Sequence, residues 1–304
     1  MENFISIIIK ILPLYITIIV GYIAGKTIKT EINNIGNFLS YIISPIVLFN
    51  SVVNAKLIGV LLSLPIVVFI INSLFCAILY KLPWLNKSNA RNIIAYSSGG
   101  HTSHLGLPIA LVLLKPTDVA IYLLCLMGFS AFENTYGVYF SYKGIINIKY
   151  LIKKILSLPY IYTMSSALIL KSMHFAMPEQ FKDFFLMMRH TYIVLGLSII
   201  GLILSRIKGL DCSWKDIRII LCIKYMIWPI VIFSLIYIDK HYINLYTQNV
   251  YNTLLFMACI PLSISTFFAA PVHNYSEDTM SMLLLINVLS TGLLVPLFKI
   301  FMPL

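Results

Sequence analysis

The sequence YSSGGHTSHLGLP, residues 96–108, lies in the middle of an apolar run that extends from residue 91 to residue 114. Glycines and small hydroxyl residues loosen a helix, and Pro108 removes a backbone donor. Backbone polar groups left unpaired in lipid each cost several kcal/mol. The stretch is therefore expected to face protein or a water-filled cavity. The alternative is close packing of helices through small residues, with a kink at Pro108.

Apolar runs of similar length recur along the whole chain. Of its 304 residues, 60% are hydrophobic and 11% are charged, whereas soluble domains carry about 25% charged residues. A membrane-spanning helix needs about 20 mostly apolar residues. We predict an all-α integral membrane protein of roughly ten such helices, at residues 4–25, 33–54, 58–80, 91–114, 118–141, 154–173, 184–205, 216–238, 250–271 and 279–302.

The basic residues predict the orientation of these helices. The formal net charge is +11, but Lys and Arg stand in short clusters between apolar runs, which excludes nucleic acid as a partner and is typical of cytoplasmic loops. With the N-terminus outside, inner loops carry thirteen Lys and Arg residues, and outer loops carry seven, including Lys171, Arg189 and Lys299. We expect a multi-pass protein of the cell membrane with both termini extracytoplasmic. The inner loop from His273 to Asp278 is the exception, since it has no Lys or Arg.

The two halves of the sequence resemble one another. Run three contains Pro65-Ile66-Val67-Val68-Phe69 and run eight contains Pro229-Ile230-Val231-Ile232-Phe233, while run four is broken near Pro108 and run nine near Pro261. Paired breaks in corresponding helices are typical of inverted-repeat transporters. We predict two inverted five-helix repeats, residues 1–141 and 142–304, with broken, crossing fourth and ninth helices.

The breaks predict a binding site for an anion. Proline is well placed in the first turn of a helix, so Pro108 and Pro261 are each expected to open a half-helix. Two half-helix N-termini near the membrane midplane would offer free N–H groups and partial positive charge to a carboxylate. The candidate substrate-binding residues are His101, Thr102, Ser103, Gly106, Pro108, Pro261, Ser263, Ser265 and Thr266.

Other polar residues fall inside apolar runs. Glu133, with Asn134, and His104 are candidates for coupling transport to an ion, because intramembrane titratable groups are commonly functional; the alternative for Glu133 is a structural, protonated or paired glutamate. Lys224 either snorkels to the membrane surface or faces the bundle interior. Asn287 is expected to form an interhelical hydrogen bond. His101 and His104, three residues apart, lack a further ligand cluster, so we predict no metal site.

Several short motifs resemble bacterial members of the auxin efflux carrier family, which includes malate and malonate permeases. They run in order from Ile11-Leu12-Pro13 and Gly21-Tyr22 through Ser44-Pro45, Gly106-Leu107-Pro108, Asn134 to Gly137, Gly196 to Gly201, Trp228-Pro229 and Pro261 to Ser290-Thr291 and Pro296. The resemblance covers nearly the whole chain. It departs at His101 and Ser265, where the family usually has Asn.

The resemblance implies a scaffold from the first, second, sixth and seventh helices. It also implies a transport domain from helices three to five and eight to ten, and it is compatible with a homodimer. Relatives export or exchange small organic carboxylates. We therefore expect a secondary transporter of a small organic anion. The alternatives are a sodium- or proton-coupled symporter or antiporter of similar fold, a non-transporting membrane receptor, and an intramembrane metalloenzyme. The sequence has no GxSxG, HExxH or Walker motif, so we predict neither an enzyme nor a cofactor.

The topology can be tested by cysteine labelling of intact cells, in a background where the five native cysteines are replaced. We expect Glu2→Cys to react with an impermeant maleimide from outside, because the inner loops carry the greater number of basic residues. Lys149→Cys should react only after the membrane is made permeable. The opposite labelling pattern would contradict both the orientation and the inverted repeat.

Overall fold

Helices form all the regular secondary structure of the described residues. The computed structural model describes residues 4–28, 30–55, 59–83, 85, 91–97, 104–137, 148–173, 175, 177–207, 209, 212–260, 264–272 and 275–301. The helices are α1 (Phe4–Thr27), α2 (Ile32–Asn54), α3 (Gly59–Lys81), α4 (Arg91–Ser97), α5 (Gly106–Leu113), α6 (Pro116–Phe132), α7 (Ile148–Leu156), α8 (Pro159–Ser172), α9 (Phe181–Leu204), α10 (Trp214–Ile243), α11 (Gln248–Cys259), α12 (Ser265–Val272) and α13 (Glu277–Phe301).

Seven of these helices, counted within the described ranges, are long and apolar enough to cross a membrane: α1, α2, α3, α6, α9, α10 and α13. The remaining three predicted runs contain shorter helices. Run four holds α4 and α5, run six holds α8, and run nine holds α11 and α12. The structure thus confirms an all-helical chain suited to a membrane. The count of ten spans and the inverted repeat stay predictions.

Apolar side chains cover both the inside and the outside of the bundle. On α1, Ile7, Ile11 and Leu14 are buried, whereas Ile9 and Ile16 are more than half exposed on the other side of the same helix. Exposed aliphatic residues recur in the same way on α3 and α10. A helix that is apolar on all sides belongs inside a large core or a membrane. We therefore expect this outer surface to contact lipid.

Glycines allow α1 and α9 to pack very closely. A Cβ at Gly21 would lie 2.7 Å from the Cα of Ser198, and a Cβ at Gly201 would lie 2.7 Å from the carbonyl carbon of Gly21. Gly25 meets Ser205 one turn further along. Small residues at such spacing let two backbones approach inside a membrane, where packing and not hydrophobicity holds helices together.

The other contacts divide the helices into two groups. In the first group, α1 packs on α9, while α2 packs on both α8 and α9. In the second group, α3 packs on α6, α6 on α11, and α11 on α10 and α13. Gly128 of α6 meets the Pro65 carbonyl region of α3. The two groups meet where α1 and α9 contact α5 and α13, and where α2 contacts α6.

Three long helices change their pitch directly before a proline. In α2 a π-helical turn at Leu39–Ile43 precedes Pro45, and in α10 a π-helical turn at Ile223–Ile227 precedes Pro229. In α3 a 3₁₀ turn at Gly59–Ser63 precedes Pro65. Proline has no N–H and clashes with the carbonyl four residues earlier. A change of hydrogen-bond spacing avoids both problems without ending the helix.

The loop from His273 to Asp278, which lacks basic residues, contains acidic residues instead. Glu277 and Asp278, at the start of α13, line a cavity together with Lys26 at the end of α1 and Arg206 after α9. These four charges therefore lie at one end of the bundle. The loop does not add to the positive charge of that end; it partly balances it.

Hydrogen bonds tie the same loop to the start of α10. The Tyr275 hydroxyl donates to the Asp216 carboxylate over 2.7 Å, and the Ser213 hydroxyl donates to the same oxygen over 2.7 Å. Burial, together with the bond to Asp216 and its negative charge, raises the pKa of Tyr275 above its usual value. This tyrosine therefore stays a neutral donor at any physiological pH.

The glycine contacts of α1 and α9 predict large effects of very small substitutions. Gly201→Ala and Gly21→Ala should each lower the free energy of unfolding by about 1–3 kcal/mol, because the new methyl group overpacks a backbone contact. Thermal unfolding of the detergent-purified protein measures this change. Gly59→Ala is the matched control, since a Cβ there meets nothing within 4 Å. Equal melting temperatures for all three variants would contradict the packing.

Candidate functional site

The first candidate element is the interruption of run four. Helix α4 ends at Ser97, His104 and Leu105 form a turn, and α5 begins at Gly106. Pro108 is the third residue of α5 and is buried with Gly106. A proline in the first turn loses no intrahelical hydrogen bond, because the first N–H groups of a helix have no partner within it. The described helix therefore begins two residues before the proline.

The second candidate element is the interruption of run nine. Helix α11 ends at Cys259, and Ile260 has extended backbone angles, φ −87° and ψ 148°. The following Pro261 explains this conformation, since a residue before proline is disfavoured in the α region. Helix α12 begins at Ser265, and the backbone N–H of Phe267 donates to the Ile264 carbonyl over 2.9 Å.

The two interrupted runs meet in the bundle. Helix α12, the second half of run nine, packs against α4, the first half of run four. On the other side of the run-four interruption, α5 packs against α6, α1 and α9. A Cβ at Gly196 of α9 would lie 3.3 Å from the His104 carbonyl oxygen, so α9 closely covers this turn. Protein therefore surrounds the described part of the interruption, as an unpaired backbone in a membrane requires.

Only part of the predicted binding set can be placed. His101, Thr102, Ser103, Pro261 and Ser263 lie outside the described residues, as does the side chain of Ser265. Gly106 and Pro108 are buried in the first turn of α5, and Thr266 is buried in α12. The described members thus lie on the two half-helices that follow the interruptions.

Two basic side chains bind the far end of α5. Arg189 of α9 donates to the Leu111 carbonyl, and Lys299 of α13 donates to the Leu113 carbonyl. The last carbonyls of a helix have no partner within it and carry partial negative charge, so cations stabilise them. The opposite end of α5, at Gly106, faces the interruption. Lys171 of α8 acts similarly on the end of α2, where it donates to the Ala55 carbonyl.

A polar cluster surrounds Glu133, which starts the π-helical turn Glu133–Gly137 at the end of α6. The Glu133 carboxylate interacts electrostatically with His104, Tyr160 and Tyr192. The Tyr160 hydroxyl donates to Ser44 Oγ over 2.9 Å. The structure therefore brings two of the predicted coupling candidates, Glu133 and His104, into range of each other, and it adds two tyrosines that the sequence did not indicate.

Asn134, the third coupling candidate, bonds within its own helix. Its amide nitrogen donates to the Ser130 carbonyl over 2.9 Å, and the next residue, Thr135, donates its hydroxyl to the Ala131 carbonyl over 2.7 Å. Such bonds pair carbonyls that the wider π-helical spacing leaves without an ordinary α-helical partner.

A second set of polar side chains lies around Lys224, in the π-helical turn of α10. Lys224 is fully buried, which excludes snorkelling to the membrane surface. Its ammonium lies 5.9 Å from the Trp228 ring centroid and interacts electrostatically with Cys259, the last residue of α11. A buried amine therefore lies beside the run-nine interruption.

Tyr225, the neighbour of Lys224, joins α10 to α13. Its hydroxyl donates to Asn287 Oδ1 and lies equally near Ser290 Oγ, both at 2.8 Å. This contact confirms the predicted interhelical role of Asn287. Tyr15 of α1 donates to the Val288 carbonyl over 2.8 Å, which extends the polar contacts from α13 to the first packing group.

No protein-family model matches the chain, and no curated protein matches it. Within the described ranges, no three His, Cys, Asp or Glu side chains come together as metal ligands.

Proposed function

We propose that the chain is a secondary transporter that moves a small organic anion, with a carboxylate group, across the cell membrane. The observation that carries the proposal is the contact of α12 with α4, which brings the two interrupted runs together inside the bundle. An interruption in a membrane helix is tolerated where it lines a cavity, and paired interruptions are the usual location of a transporter's substrate.

Electrostatics favour an anion as the substrate. The N-terminus of α5 faces the run-four interruption, while Arg189 and Lys299 bind its C-terminal carbonyls. Its partial positive charge is therefore directed at the interruption. The buried amine of Lys224, which carries a positive charge when it is protonated, lies beside the run-nine interruption. His101, Thr102 and Ser265 are the side chains proposed to complete the site.

The two packing groups support a mechanism in which one moves against the other. Helices α1, α2, α8 and α9 would form the scaffold, and the others would carry the substrate in an elevator-like or rocking movement. Contacts between the groups include the Tyr15 hydrogen bond to Val288 and the close approach of Gly196 to His104. Both termini are proposed to lie outside the cell, and no nucleotide-binding motif is present, so a gradient would supply the energy.

Coupling to protons is proposed to involve Glu133 and His104. Both lie in the moving group, whereas Tyr160 and Tyr192, which interact with Glu133, lie in the scaffold. A movement of one group against the other would therefore change the surroundings of the carboxylate. A titratable group whose surroundings change can take up a proton on one side and release it on the other.

Transport itself can be tested in proteoliposomes with labelled malate and malonate. The purified protein should exchange the label for internal unlabelled acid, whereas protein-free liposomes should not. Pro108→Ala and Pro261→Ala should fold with nearly the wild-type melting temperature and transport much more slowly, because an alanine allows a continuous helix through the interruption. Wild-type rates in both variants would contradict the crossing site. No exchange of any organic acid by the wild-type protein would favour a receptor.

Proton coupling can be tested separately from transport. Glu133→Gln keeps the shape of the side chain and its hydrogen bonding but removes its titration. It should abolish accumulation driven by a pH gradient and leave counterflow exchange intact. Glu179→Gln, in an exposed loop, is the matched control and should behave like the wild type. If Glu133→Gln still accumulates substrate along the pH gradient, coupling through this carboxylate is excluded, although transport is not.

A further inference from the structure

Helix α7 has an unusual sequence for this chain. Its nine residues, IKYLIKKIL, contain three lysines and no acidic residue. At 100° per residue, Lys149, Lys153 and Lys154 fall within an arc of about 140°, and Ile152, Ile155 and Leu156 fall within an adjoining arc of about 100°. Helices with a basic face and an aliphatic face commonly lie in the interface of a membrane.

The structure shows which part of α7 is covered by protein. Lys154 and Ile155 are half-buried, and α7 packs against the π-helical turn Glu133–Gly137. Ile152 and Leu156 remain exposed at 51% and 53%, and Lys149 and Lys153 are exposed next to them. The uncovered strip therefore has aliphatic side chains on one side and lysines, with the half-exposed Tyr150, on the other. A water-exposed surface would not gain from the aliphatic half, and the acyl region of a bilayer would not accept the cationic half.

The position of α7 along the bundle matches this composition. Gly137 lies 21 residues after Pro116, the start of α6, which is roughly 30 Å at the helical rise. The hydrocarbon core of a bilayer is about 30 Å thick. With Pro116 at one membrane surface, Gly137 reaches the other, so the turn on which α7 packs ends near that surface.

We propose that the exposed strip of α7 binds the headgroups of anionic phospholipids, with Ile152 and Leu156 in the acyl boundary and Lys149 and Lys153 on the phosphates. The occupant is a lipid and not a soluble anion, because the aliphatic half needs an apolar partner. The proposal does not depend on transport. It places a lipid-binding helix directly on the turn that contains Glu133, so bound lipid would hold that turn in place.

The test uses the full-length protein in a neutral detergent, titrated with fluorescent phosphatidylglycerol or phosphatidylcholine. The wild type should prefer phosphatidylglycerol, and high salt should remove the preference. Each lysine near an anionic surface contributes about 1 kcal/mol, so K149Q/K153Q should weaken phosphatidylglycerol binding roughly thirty-fold. K149R/K153R keeps both charges and should bind like the wild type, which also shows that substitution at these positions does not unfold the helix.

Two further arms identify the site and the occupant. K182Q/K240Q is the matched control, because it lowers the net charge by the same amount. Both lysines are exposed elsewhere on the protein, so the affinity should be unchanged. Inorganic phosphate at the lipid concentration should not displace the lipid. The proposal is overturned if the wild type does not prefer phosphatidylglycerol, if K149Q/K153Q binds as tightly as the wild type, if K182Q/K240Q weakens binding equally, or if phosphate alone competes.

Discussion

The need to pair backbone polar groups inside a membrane governs this structure. A continuous helix meets the need by itself, but runs four and nine are interrupted, so their free groups must find partners in neighbouring helices. Neighbouring helices also cover both ends of α5, the half-helix that follows the interruption of run four. Arg189 and Lys299 reach its last carbonyls from two different helices, and Gly196 lets α9 lie against the turn before its first residue. An interrupted helix thus fixes the positions of the helices around it.

Contacts within the first packing group differ in kind from contacts between the two groups. Within the first group, α1 and α9 meet backbone to backbone through Gly21 and Gly201, which leaves no room for sliding. Between the groups, polar side chains also make contacts: Tyr15 donates to the Val288 carbonyl and Arg189 donates to the Leu111 carbonyl. Hydrogen bonds can be exchanged for others at small cost. A rigid core bounded by exchangeable contacts is suited to relative movement.

Much of the helix pattern could be predicted from the sequence, because hydropathy and proline act locally. The fifth run, predicted at 118–141, has its described helix at 116–137, and the break at Ile260 follows directly from Pro261. The roles of Arg189 and Lys299 could not be predicted. The charge pattern assigns both to outer loops, and only the folded arrangement brings them to α5. For Lys224 the sequence leaves snorkelling and burial open, because the outcome depends on helices distant in sequence. The positions of Tyr160 and Tyr192 could not be predicted for the same reason. The predicted residues 101–103 and 261–263 lie outside the described part of the chain.

The π-helical turns have a consequence for how this sequence can be compared with others. A π turn holds one residue more than an α turn, so each acts as a one-residue insertion that rotates the rest of the helix by about 100°. In α10, Ile217 and Ile220 are buried before the turn, and Trp228 and Ile232 are buried after it, on a face rotated by roughly 70° at 100° per residue. Suppose that α10 is aligned without a gap to a helix that lacks this π turn. On one side of the turn, exposed residues of one helix would then be matched with buried residues of the other. Two proteins could share this helix in three dimensions while their hydrophobic patterns disagree along half of its length.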